Sequence, residues 1–156
     1  KKNIHLIIAG ASGNYTQALL DEEKKMTGLT VFTNISARVK NELLSIADIV
    51  VLPSKEESFG VVFLEAWRAK KTVIGAGIGA ISAIIDNNKN GLLFTPGNAN
   101  DLSEKIKFLL QNNELANAMG ISGYKKVEQF YTWENIAALF RGAYCKAIEN
   151  FQNRKG

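Results

Sequence analysis

Two glutamates flank a glycine in the stretch Pro53-Ser54-Lys55-Glu56-Glu57-Ser58-Phe59-Gly60-Val61-Val62-Phe63-Leu64-Glu65-Ala66-Trp67. A helix opening near Gly60 would present the amides of Phe59, Gly60 and Val61, next to Ser58, with no intrahelical acceptor. About half a positive charge would stand behind them. That is a seat for a phosphate or diphosphate, and Gly60 would let the backbone come close to it. Glu65 lies about five residues further on, roughly 7–8 Å along the helix axis. It sits among Val61, Val62, Phe63, Leu64, Ala66 and Trp67, so it is expected on a buried helix, where a carboxylate needs donors. From there it can accept from the hydroxyls of a ligand anchored at the helix start, such as a ribose diol. Glu57, on the loop, can face the other end of the same ligand. Two carboxylates around a phosphate seat suit a nucleotide-sugar. The plainer alternative also stands: Glu65 could satisfy backbone donors of a neighbouring loop, and Glu57 could be a solvated charge.

The elements that must position these residues follow from the hydrophobic pattern. Ile4–Ala9, Leu29–Phe32, Ile49–Leu52, Thr72–Ile74 and Leu92–Phe94 are short apolar runs, bounded by Gly, Asn, Pro or Ser, and read as strands. Helical patterns lie between them at about 14–27, 37–47 (capped by Ser36), 60–70 and 80–86. After residue 98 three helices are expected: Asp101–Leu110, Leu115–Phe130, weakened by Gly120 and Gly123, and one from Trp133 to about Phe151, capped by Thr132. Apolar strands without alternation are buried on both faces, as in a parallel sheet. The fold class is therefore α/β, a Rossmann-like open parallel sheet flanked by helices, with helices at the C-terminus. Ligands of such sheets bind outside the carboxyl ends of the strands, where the loop 53–60 would sit.

Composition removes other classes. The 156 residues, 46% apolar and 22% charged, bury roughly 70% of their unfolded surface, enough for one core. A single cysteine and a single histidine exclude an internal disulfide framework and a Cys/His zinc site. No apolar run approaches the roughly 18 residues of a membrane span. A formal charge of +4 is a mild excess. The basic residues are scattered and not interleaved with aromatics, so no nucleic-acid partner is expected.

The residues now resemble a known family. Ala47–Ser54, the E-x7-E spacing of Glu57 and Glu65, Phe59-Gly60, Leu64-Glu65-Ala66, Val73-Ile74-Gly75-Ala76, Asn90–Phe94 and Thr132-Trp133-Glu134 fall in the order of the retaining glycosyltransferases of family 4, also called glycosyl transferases group 1. The resemblance runs over essentially the whole chain. It implies one half of a GT-B fold: a single Rossmann-like nucleotide-sugar-binding domain over residues 1–156, the carboxyl-terminal, donor-binding one. That domain would be incomplete at its N-terminal edge, with the acceptor-binding domain absent. It implies retaining transfer of a hexose from a nucleotide-diphosphate sugar to a glycan, lipid or other acceptor. Glu57 would contact the donor sugar as the catalytic residue, and Glu65 the ribose. The Phe59-Gly60-Val61 amides would hold the diphosphate, and the loop at Thr33 and Asn34 the base through its backbone. No protein nucleophile, metal or cofactor is implied. The expected location is the cytoplasm, including the cytoplasmic face of a membrane with which the full-length protein could associate peripherally.

The departures from the family pattern bear on competence. The family's Arg/Lys pair that clamps the diphosphate precedes the first residue here, so this chain alone is expected to be inactive. Lys55 is a candidate replacement cation. Lys70 and Thr72 stand where Gly and Pro are frequent, and Ser82-Ala83 where Pro-Glu is frequent. Gly75-x-Gly77-x-Gly79 is expected to wall the donor pocket, with Gly77 and Gly79 in contact. Gly10-x-x-Gly13 reads as an ordinary βα turn or a nucleotide fingerprint. His5 is expected at the core or a strand edge, Trp67 and Trp133 in the core, and Cys145 on a helix without a redox role. The last helix would pack toward the missing domain and otherwise expose an apolar face that favours self-association. Two other readings remain: a non-catalytic α/β module that binds a nucleotide or a partner, and a nucleotide-sugar epimerase of GT-B shape.

Overall fold

The computed structural model describes residues 4–54 and 56–154. The chain divides into two compact units, residues 1–46 and 47–156. In the first, β1 (Leu6–Gly10) and β2 (Leu29–Thr33) pair in parallel, from Leu6↔Leu29 to Gly10↔Thr33. Helix α1 (Thr16–Lys25) crosses between them and α2 (Ala37–Ile46) follows. Gly28 has φ +87, and a Cβ there would meet the Ile4 carbonyl at 2.9 Å, so the turn into β2 needs a glycine. Ser36 caps α2 through the Val39 amide (3.3 Å). The expected buried character of the first strand does not hold: Leu6 is 53% exposed and Ile7 37%. A two-stranded sheet with two helices has little mass to cover both its faces. His5 is exposed, with Nε2 2.8 Å from Thr30 Oγ1.

The second unit holds a three-stranded parallel sheet, β3 (Ile49–Leu52), β4 (Thr72–Ala76) and β5 (Gly91–Phe94), in the order β3-β4-β5. All five residues of β4 are buried, as the unbroken apolar run requires. One face of β4 carries Ile74 and Ala76 into a cluster with Leu92, Phe94, Leu109, Ala116 and Met119. These come from β5, α5 (Ala99–Gln111) and α6 (Asn113–Phe130). On the other face, Gly75 leaves room for Ile81, Ile85 and Phe63, each within 3 Å of where its Cβ would be. Phe63 is on α3 (Val61–Arg68) and Ile81 on α4 (Gly79–Ile84). The class is α/β, with parallel sheets flanked by helices and helices at the C-terminus, as the pattern predicts.

Two expectations fail in the C-terminal helices. Gly120 and Gly123 do not weaken α6, which runs unbroken for 18 residues. Both are buried contact points: a Cβ at Gly120 would overlap the Lys70 carbonyl, and one at Gly123 the Trp67 indole. The small residues let α6 lie close against α3. Trp67 is indeed core, fully buried, with Nε1 donating to the Asn90 carbonyl at 2.8 Å. Trp133 is not: it is 85% exposed, because it opens α7 (Trp133–Asn153), which has no fully buried residue. Phe140, Tyr144, Ile148 and Phe151 also stand exposed along α7. Cys145 is a free, exposed thiol on the same helix. Among the described residues no helix is long and apolar enough to cross a membrane.

Candidate functional site

The loop after β3 and the loop after β4 leave neighbouring parallel strands by their carboxyl ends, so both open on one edge of the β3-β4-β5 sheet. The first of these carries Glu57, Ser58, Phe59 and Gly60. Gly60 is the N-cap of α3 and is left-handed (φ 79, ψ 45). A Cβ at that position would also strike the Phe63 ring at 2.7 Å. The glycine is thus required by backbone shape and by packing, in addition to the close approach expected of it. Val61 starts α3 one residue later than the reading near Gly60, and its amide has no intrahelical acceptor.

One oxygen of Glu57 fills the seat. Oε1 accepts from the Gly60 amide at 3.1 Å and from the Phe59 amide at 3.4 Å. Glu57 is half-buried and braces the loop end by accepting from the amides of the N-cap Gly60 and of Phe59 before it, ahead of the first helical amide at Val61. It is not the freely solvated charge of the plainer reading. Such an anion at a helix N-terminus is favoured by the dipole and by the free amides. Ser58 is exposed. Phe59 is 42% exposed, and its ring meets Tyr131 edge-on, with 6.0 Å between centroids and planes at 74°. Glu65 is half-buried on α3, with Oε2 shielded from solvent. Lys55 lies outside the described residues.

On the second loop the Gly77 amide donates to the Phe94 carbonyl at 2.8 Å, which extends the β4–β5 pairing by one residue. Gly77 and Gly79 are exposed. Open space surrounds Gly79, whereas a Cβ at Gly77 would press on the Phe94 carbonyl at 3.4 Å. At the end of β5, Asp101 Oδ2 accepts from the Thr95 amide at 2.7 Å, and Asn98 caps α5 through the amides of Asn100 and Asp101 (3.1 Å each). The Thr95 amide holds the Asp101 carboxyl below its ordinary value.

Thr33 and Asn34 lie in the first unit, at the carboxyl end of β2. Asn34 is left-handed (φ 52). Its amide donates to the Gly10 carbonyl (2.9 Å), its Oδ1 accepts from the Ser12 amide (3.0 Å) and its Nδ2 donates to Ser12 Oγ (2.7 Å). The side chain ties the turn after β1. Gly10 and Gly13 have nothing within 4 Å of a would-be Cβ, and the Gly13 amide donates to Thr16 Oγ1 (2.8 Å). The second unit therefore gathers Glu57, Ser58, Phe59, Gly60, Val61, Glu65, Gly77 and Gly79 at or next to one sheet edge, and Thr33 and Asn34 belong to the first. Tyr131 was missed. It lies 72 residues from Phe59 in the sequence, and no local pattern joins them.

Comparison with known proteins identifies the family and the fold. Residues 1–126 match the family described as Glycosyl transferases group 1. The sulfoquinovosyl transferase SQD2 of Arabidopsis thaliana is 31% identical over 140 residues, which is 86% of this chain and 27% of that protein. The Anabaena protein Alr3699/HepE, solved in complex with UDP-glucose, superposes with a TM-score of 0.79 at 18% identity, over 94% of this chain and 42% of that one. The C-terminal domain of a glycosyl transferase group 1 family protein (LpcC) from Francisella tularensis gives a TM-score of 0.67 at 21% identity, covering 85% of this chain and 90% of that one. The chain spans about 27–30% of the length of the first curated relatives it matches.

Proposed function

The chain belongs to the glycosyl transferases group 1 family, and from that premise we propose that it is the donor-binding, carboxyl-terminal part of a retaining GT-B hexosyltransferase. The observation that carries the proposal is the convergence of the Phe59 and Gly60 amides on one carboxylate oxygen of Glu57. The seat accepts an anion in this chain. A donor diphosphate would take the place of that oxygen, and hydrogen bonds to a charged partner contribute about 1.5–3 kcal/mol each. Glu57, displaced by about one side-chain rotation, would then be free to accept from the hydroxyls of the donor sugar near the reacting carbon. Glu65, one helical turn inside α3, would accept from the ribose diol. Gly77 and Gly79 would let the β4–α4 loop close on the donor. Thr33 and Asn34 stay assigned to the base by family resemblance, through backbone atoms.

Support for a nucleotide-sugar comes from family membership and from likeness in fold to a protein solved with UDP-glucose. The retaining course, a hexose donor, transfer without metal or protein nucleophile, and a glycan or lipid acceptor held by a further domain are parts of the same proposal. So is a cytoplasmic site of action, including a membrane surface. Thermal unfolding with and without about 10 mM UDP, GDP or ADP tests it. With a dissociation constant near 1 mM, linkage gives about 1.4 kcal/mol, a rise of about 3–5 °C. A rise with one nucleotide that is lost in Glu65→Ala supports the reading. No rise with any of them, in a chain that is folded, contradicts it.

A further inference from the structure

We propose that Tyr131 is a positioning residue for the phosphate seat and acts through the ring of Phe59; the proposal rests on the donor reading above. The Phe59 and Gly60 amides are held in place by Glu57, a residue of the same loop. A diphosphate that takes the seat removes this brace at the moment the amides must stay aligned. The Phe59–Tyr131 ring contact does not use the seat and survives the exchange.

Tyr131 is suited to the task because it stands on a fixed platform. It is the C-cap of α6, with its amide donating to the Val127 carbonyl at 2.8 Å, and Val127 is buried. Helix α6 in turn is pressed onto α3 and the turn after it through Gly123 on Trp67 and Gly120 on Lys70. Phe59 has no such support of its own, being 42% exposed. The geometry of the pair, 6.0 Å and 74°, is the favoured edge-on arrangement of two rings. The helix that carries the seat (α3) and the residue that steadies its loop (Tyr131) therefore belong to one packed α3–α6 body. The interaction needs the ring of Tyr131 and not its hydroxyl.

UDP titration calorimetry on the protein, Tyr131→Phe, Tyr131→Leu, Phe59→Leu and the Tyr131→Leu/Phe59→Leu double variant tests this, with melting temperatures recorded alongside. Tyr131→Phe is expected to bind UDP within about twofold of the parent. Tyr131→Leu and Phe59→Leu are each expected to raise the dissociation constant about 3–10-fold with little change in melting. The double variant is expected to be no weaker than either single, since both remove one interaction. Phe59→Leu alters a side chain that is 42% exposed and outside the buried core, so it is expected to fold even if the Tyr131 variants do not. Parent-like binding by Phe59→Leu or Tyr131→Leu, failure of Tyr131→Phe to rescue, or losses that multiply in the double variant would overturn the proposal. Absence of UDP binding in the parent would overturn the donor reading, and this one with it.

Discussion

A carboxylate oxygen of Glu57 lies 3.1 Å from the amide nitrogen of Gly60, the left-handed residue that opens α3. The chain thus carries its own anion on the amides where a donor diphosphate is proposed to bind. The two must compete. Replacing Glu57 with glutamine leaves an acceptor of similar shape but removes the charge, and with it about half the strength of those hydrogen bonds. UDP, which has no sugar, is expected to bind Glu57→Gln about 3–10-fold more tightly than the parent. On the proposed donor reading, in which Glu57 faces the reacting sugar, transfer by an enzyme that carries this domain is expected to fall at least about 100-fold. Isothermal titration and a transfer assay read the two effects separately. Weaker UDP binding by Glu57→Gln would mean that the two anions do not share the seat.

The close packing of α6 on α3 gives a stability prediction. Gly123→Ala would drive a methyl group into the Trp67 ring, in a core where overpacking costs about 1–3 kcal/mol. The melting temperature is expected to fall by about 4–10 °C. A helix-propensity effect alone would raise it, since alanine is the better helix former, so the sign decides.

Lys70 ends α3 in the left-handed region (φ 57), with Lys70 donating to the Trp67 carbonyl (2.8 Å) and Lys71 to the Ala66 carbonyl (2.9 Å). This is the turn that usually takes glycine or asparagine. Lys70→Asn is expected to be nearly neutral. Lys70→Val, with branching at Cβ, is expected to cost about 1–2 kcal/mol. Chemical denaturation midpoints of the two variants give the comparison. Equal midpoints would show that the turn tolerates any side chain.

Asp101 gives a pH dependence with a definite sign. Its carboxyl is held below the ordinary 3.8, first by the Thr95 amide. The folded state therefore binds its proton less readily than the unfolded one, and stability rises with pH through that range. The contribution is complete above about pH 4–5 and is lost as the pH falls through the lowered folded value. Unfolding curves of the parent and Asp101→Asn between about pH 2.5 and 6 should converge at the acid end. A gap that persists there would assign the difference to something other than the carboxylate.

How far these features could be read from residues alone depends on their range. Strand β4 declared itself through the run Thr72-Val73-Ile74, since a strand buried on both faces reads as unbroken apolar sequence. Gly75 and Ala76 read as the start of the glycine loop, but both are buried strand residues, with Gly75 packed under Phe63, Ile81 and Ile85. Helix α3 and the position of Glu65 on it followed from the same logic. Gly60 was recognised as special, but its left-handed φ and its contact with Phe63 depend on how the loop meets the helix. Gly120 and Gly123 read as weak points because helix propensity does not register the Trp67 indole resting on them. Trp133 read as core from its residue type, whereas its helix presents it outward. The bonds from the Phe59 and Gly60 amides to Glu57 are a local side-chain choice that a glutamate two and three positions before those amides permits but does not require. The Phe59–Tyr131 contact joins distant segments and could be found only once α6 was placed.

The most direct measurement follows the amide resonances of Phe59 and Gly60 in an isotope-labelled sample as UDP is added. If the diphosphate takes the seat, both amides shift together and saturate with a dissociation constant near 1 mM. Glu57→Gln moves that midpoint to lower UDP. If UDP binds and these two resonances stay where they are, the seat belongs to Glu57 alone and the donor is held elsewhere.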